Sequence, residues 1–119
     1  MPKIDWFSRH PLTNGQIATL QDAGYNEFEQ HNLLFNDKII EQIQQVTNEK
    51  IIALVSPLQY GLILLRAGYT ILEFVNTPSA RQKGVFLCKG MNIHTLQKSN
   101  FINCPLSPEQ QEEGNLNHI

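Results

Sequence analysis

Apolar and polar positions along the chain alternate between two periods, and the switches mark the elements. Lys3 to Phe7 is a short apolar and aromatic run that reads as a strand. Thr13-Asn14-Gly15-Gln16 follows as a capping box, in which the Thr13 hydroxyl and the Gln16 side chain each satisfy an N–H of the other residue. Ile17, Leu20 and Ala23 continue at helical spacing, and Gly24 is a left-handed stop. Asn26 to Gln30 is a weak strand, with Leu33-Leu34-Phe35 either joining it or lying in a loop. Asn36 is placed to cap a second helix carrying Ile39, Ile40, Ile43 and Val46 on one stripe, closed by Asn48.

Lys50 to Val55 is the clearest strand, because Ile51 to Val55 is continuously apolar, as in a central strand covered on both faces. Ser56-Pro57 has the form of a helix start, and Leu58, Leu62 and Leu65 carry that helix to Gly68. Tyr69 to Val75 reads as a strand and Asn76 to Gly84 as a polar loop. Val85 to Cys88 reads as a further strand, antiparallel at an edge, and Gly90 to Gln97 fits either a strand or a short helix. The alternation predicts an α/β chain: a small Rossmann-like domain, with a mostly parallel sheet and helices on both faces. The expected domain is 1–106. Residues 107–119 are polar and fit a short helix or a frayed C-terminal tail.

In such a sheet, ligands bind beyond the carboxyl ends of the strands. The first strand ends in Ser8-Arg9-His10, directly before a helix start, so a hydroxyl, a guanidinium and an imidazole are expected at that rim. Other loops reach the same rim. They bring His31-Asn32, Ser56-Pro57 with Gln59 and Tyr60, and Asn76 with Arg81 and Lys83. Cations and helix-start N–H groups suit phosphate, amides suit base edges, and Tyr60 suits stacking. Ser8, Thr13 and Ser56 have a second reading as caps, and Arg81 and Lys83 as a solvated loop.

Composition narrows the chemistry. The chain has 119 residues and a formal net charge of −2, which disfavours duplex DNA and membrane surfaces as partners. Cys88 and Cys104 are its two cysteines, without metal-ligand spacing, so free thiols and no metal are expected. Gly-rich phosphate loops, a GxSxG elbow and a carboxylate pair at the rim are missing, and no cofactor is implied. Arg9-His10 superficially matches histidine phosphatases, but Pro11 stands where they have Gly. There is no charged-then-apolar leader and no run long enough to span a bilayer, so a cytoplasmic protein is expected.

The segment Ser8-Arg9-His10-Pro11-Leu12-Thr13 with Gln16 and Leu20 resembles the opening of small type III CRISPR-associated accessory proteins, which have a Ser-His-Pro-Leu-Thr-x-x-Gln pattern after a first strand. It is also similar to short phage and plasmid proteins with Ser-Arg-His-x-x-Thr-x-x-Gln. Val55-Ser56-Pro57 matches a mid-chain feature of both groups, and Arg9 fits the phage-type pattern. The resemblance implies a homodimer that binds cyclic oligoadenylate, most often cyclic tetra-adenylate, with further assembly on ligand binding open. Ser8, His10, Thr13, Gln16, Ser56 and Pro57 are the positions it carries over. With Arg9, Tyr60, Arg81 and Lys83 they make up the expected ligand set. Sequestration of the messenger is the reading taken. The alternatives are a metal-independent ring nuclease, with His10 as its proton-transfer group, and a protein-interaction module with no small ligand.

Overall fold

The computed structural model describes residues 2–55 and 58–116. Its elements run β1 (Lys3–Phe7), α1 (Asn14–Asp22), β2 (Glu27–His31), α2 (Ile39–Gln44), β3 (Ile51–Leu54), α3 (Leu58–Arg66), β4 (Thr70–Pro78), β5 (Phe86–His94), β6 (Ser99–Asn103) and α4 (Pro108–Leu116). The six strands form one sheet in the order β2-β1-β3-β4-β5-β6. Among the described residues no helix is long and apolar enough to cross a membrane.

The apolar run of β3 sits where its composition requires. Ile52, Ala53 and Leu54 are fully buried, between β1 and β4 and under helices on both sides. Alternation in the strands then divides the core in two. Ile4, Trp6, Ala53, Leu72 and Phe74 pack with Leu20 of α1 on one face. Phe7, Ile52, Leu54 and Ile71 pack with Ile39 and Ile43 of α2 and Leu64 of α3 on the other. From β1 the chain crosses outward to β2, then returns past β1 to β3 and β4. Right-handed crossovers in opposite directions must use opposite faces, which separates α1 from α2 and α3.

The local signals act as expected in the first half. Thr13 caps α1, and both arms of the capping box with Gln16 form. Gly24 and Gly68 take φ of 101° and 93°, ending α1 and α3. Helix α2 departs from expectation: its cap residue is Lys38, with no side-chain cap. Asn36 instead accepts the Lys38 N–H at 2.9 Å in a turn before the helix. Val46 lies past the helix end and is half exposed.

The expected mostly parallel sheet is corrected to a mixed one. Pairings β1–β2, β1–β3 and β3–β4 are parallel, but the long ladders β4–β5 and β5–β6 are antiparallel. The reason is connection length. A parallel return needs about a dozen residues or more, and residues 79–85 and 95–98 are too few. Strand β5 is therefore not an edge. It reaches His94, and β6 pairs with its outer side.

Of the two readings of the polar C-terminal stretch, the helix is the one that forms. Residues 108–116 form α4, and Gln111 and Glu112 are buried. Strand β6 stops at Asn103, opposite Gly90, and β5 bulges at Lys89. Cys88 therefore presents an N–H and a C=O that lack a β6 partner, and the Gln111 amide meets both, at 2.8 and 2.9 Å. It also donates to the Leu106 carbonyl at 3.2 Å. Glu112 accepts from the Ser79 hydroxyl, tying α4 to the β4–β5 loop.

Gly15 lets α1 approach this lock. A Cβ there would lie 2.2 Å from Gln111 Oε1, whose position the Cys88 bonds hold. Helix propensity favours Gly15→Ala by up to about 1 kcal/mol, whereas overpacking a fixed neighbour costs about 1–3 kcal/mol. Urea denaturation is expected to show net destabilisation by Gly15→Ala in the native background. In a Gln111→Ala background most of that loss should vanish. An equal effect in both backgrounds would mean that Gln111 is not the obstacle.

Candidate functional site

Strands β1 and β3 are neighbours whose outgoing chains cross in opposite directions, so their carboxyl ends flank a gap. A pocket of about 620 Å³ occupies that gap, lined by Phe7, Ser8, Arg9, His10, Asn32, Leu33, Leu34, Phe35 and Val55. Three chain segments supply it: the end of β1, the loop after β2 and the end of β3. Its floor and one wall are apolar. The polar side is Ser8, Arg9, His10 and Asn32, and no carboxylate lines it among the described residues.

The Ser8–His10 turn is held by its backbone, which leaves its long side chains to the opening. The Ser8 N–H donates to the His31 carbonyl at 2.9 Å, and Gln30 Nε2 donates to the Ser8 carbonyl at 2.9 Å. Trp6 Nε1, from the buried face of β1, donates to the His10 carbonyl at 2.8 Å. The Ser8 hydroxyl accepts the His10 N–H at 3.1 Å. Arg9 and His10 are exposed, and Arg9 makes no ion pair with another described residue. A free guanidinium over an apolar concavity is suited to an anionic group attached to a flat apolar body.

The other expected site residues divide sharply. Thr13 and Gln16 spend their side chains on the α1 cap and do not line the pocket. Tyr60 packs against the α2/α3 core, 5.5 Å ring to ring from Phe35, so it supports the pocket wall from behind. Arg81 lies beyond the far end of β4 and approaches Glu109 and Glu112 of α4 at 3.8 Å each. Lys83 is exposed on the same loop, and neither cation reaches the pocket lining. Ser56 and Pro57 lie outside the described residues. Leu33, Leu34 and Phe35 were legible only as an apolar triplet of uncertain element. Their exposure, 70% for Leu34 and 36% for Phe35, makes them the open wall of the site.

Below the rim, the edge strand is joined to β1 by charge. Asp5 is buried in the apolar run of β1, and its carboxylate meets His31 Nε2 at 2.8 Å. The His31 ring lies 5.2 Å from the Phe7 ring, so the pair braces the pocket floor. Lys3 donates to Glu29 at 2.8 Å and lies 3.9 Å from Asp5. The Glu29 bond first, and then the Asp5 charge, raise the Lys3 ammonium above its ordinary value.

A second, smaller cavity of about 250 Å³ lies at the α4 junction and includes Cys88 and Cys104, both free thiols. Burial pushes the Cys88 thiol up to about 11, against a hydrogen bond with Thr19 that lowers it. The folded chain thus holds this proton more tightly than the unfolded chain, whose thiol titrates near 9. Its contribution to stability is complete below pH 9 and is lost as pH rises towards 11. Tyr25, raised by burial, and Lys3 act in the same direction from higher starting points. Denaturation measured across pH 8–11 is expected to show Cys88→Ala losing the part of the decline that begins near pH 9. A profile unchanged by the substitution would refute the assignment.

No protein-family model, curated protein or solved structure matches this chain, so what the site does must be argued from its geometry.

Proposed function

We propose that the chain is a small Rossmann-like, cytoplasmic protein that binds a cyclic oligonucleotide messenger, cyclic tetra-adenylate first among them, and sequesters it. Its role would be to damp or evade type III CRISPR signalling. The observation that carries this reading is the pocket at the β1/β3 gap, where Arg9, without an ion pair to another described residue, and exposed His10 stand over an apolar wall ending in Phe35. Phosphodiester charge suits the first side, and adenine faces suit the second. Asn32 supplies an amide for a base edge.

Size supports a pair of subunits. A pocket of about 620 Å³ is in the range for one drug-sized ligand, and a ring of four nucleotides is larger. Two copies of the rim across a two-fold axis would each take half of the ring. Among the described residues the lining holds no carboxylate to pair with His10 as acid and base, which favours holding the ligand over cleaving it. If cleavage occurs, the ribose 2′-hydroxyl attacks the adjacent phosphorus as its proton passes to solvent, the P–O5′ bond breaks, and the leaving 5′-oxygen takes a proton for which His10 is the candidate donor.

Labelled cyclic tetra-adenylate mixed with the pure protein is expected to be retarded and to remain intact. Arg9→Ala should weaken binding by about 10-fold or more, the equivalent of one charge-assisted contact. Thr13→Ala should leave affinity unchanged while costing about 1 kcal/mol of stability, since its hydroxyl caps α1. Linear products would make the protein a ring nuclease, and His10→Ala should then reduce turnover more than binding. Unchanged mobility with every ring size would overturn the reading and favour a protein-interaction module.

A further inference from the structure

We infer that Asp5, Glu29 and His31 form a binding site for a divalent transition-metal ion of the zinc type, clamping edge strand β2 onto β1. The three residues share one sheet face because their positions are paired in register, Asp5 with Glu29 and Phe7 with His31. One ligand atom from each, a carboxylate oxygen, a carboxylate oxygen and an imidazole nitrogen, lies within 4.8 Å of the others. His31 Nε2 is 2.8 Å from Asp5 Oδ1 and 3.7 Å from Glu29 Oε1. Tetrahedral zinc holds such donors about 3.3 Å apart. The observed separations straddle that value, so small side-chain rotations close the set.

Burial and charge add to the geometry. Asp5 is 1% exposed, a carboxylate in the middle of an apolar strand, and it therefore needs a cationic partner. The site already draws a cation. The Lys3 ammonium lies against Glu29 and Asp5, and its side chain is 45% exposed, free to swing into water when an ion enters. The mixed donor set selects among ions. One imidazole with two carboxylates suits zinc, and manganese less well, whereas magnesium prefers oxygen alone in octahedral geometry. Three protein ligands leave a fourth position for water. On binding, the ion takes the place of the His31–Asp5 hydrogen bond, and His31 coordinates as a neutral imidazole through Nε2 with its ring proton on Nδ1.

The site is distinct from the pocket, which His31, Glu29 and Asp5 do not line, and the inference does not depend on what the pocket binds. Its expected effect is on the β1–β2 edge. Full-length protein loaded with Zn²⁺ and passed through gel filtration is expected to retain one ion per chain by elemental analysis and to melt at a higher temperature. Mg²⁺ should produce neither effect. His31→Ala and Glu29→Gln are expected to weaken Zn²⁺ binding by about 10-fold or more in chelator competition, as loss of a ligand requires. Glu29 is half exposed, so its substitution tests the site without endangering the fold. Lys3→Met, which removes the competing ammonium, should tighten binding several-fold. A Cys88→Ser/Cys104→Ser variant should bind as the native chain does. No retained zinc, affinity unchanged by His31→Ala and Glu29→Gln, affinity unchanged by Lys3→Met, or binding that disappears with the cysteines would each overturn the assignment.

Discussion

Covering β1 and β3 on both faces is the constraint on which the rest of this structure depends. Ile52, Ala53 and Leu54 are inaccessible to water, as are Ile4, Trp6 and Phe7 to within a few per cent. Their backbone groups are paired by neighbouring strands and their side chains by helices above and below. A chain that crosses one way from β1 and the other way from β3 meets this demand with α1 on one face and α2 and α3 on the other. The same reversal opens a gap at the strand ends. The pocket is therefore a consequence of how the core is closed, and Ser8–His10 occupies it because that turn is where β1 leaves the sheet.

The turn is stiff for a related reason. Trp6 is committed to the core, where its ring meets Phe74 edge-on at 5.3 Å, yet its N–H must be satisfied. It reaches the His10 carbonyl and so fixes the rim from beneath. Gln30 and the His31 carbonyl hold the other side. Arg9 and His10 thus project from a turn that hydrogen bonds hold at Ser8 and His10, so its backbone is ordered before either side chain makes a contact.

The second half of the chain follows different rules. Short connections turn β4, β5 and β6 into hairpins, and β6 ends before β5 does. The buried ladder groups of Cys88 that β6 leaves unpaired then require a partner, which a polar C-terminal helix provides through Gln111. Arg81 is drawn into the same arrangement by Glu109 and Glu112 and so is removed from the rim. A cation in a polar loop carries no sequence signal that separates a ligand contact from an ion pair with a distant helix. Gln111, too, reads in sequence as one more polar residue of a tail.

The sequence by itself determined local features of the first half of the molecule: the strand at Lys3–Phe7, the Thr13/Gln16 capping box, the left-handed stop at Gly24 and the fully apolar β3. These depend on contacts within a few residues, and local chemistry specifies them. It also placed Ser8, Arg9 and His10 at a strand end. Only the tertiary structure decided that β5 runs on to His94 with β6 antiparallel outside it, and that the helix after Ser107 is packed rather than frayed. The same holds for Leu34 and Phe35 facing Arg9 across a pocket, and for Asp5 meeting Glu29 and His31. Each of these depends on residues far apart in the chain, brought together by strand register and by the need to satisfy buried polar groups. The one local hint was Asp5, a charge inside an apolar run, whose meaning depended on a neighbour 26 residues away.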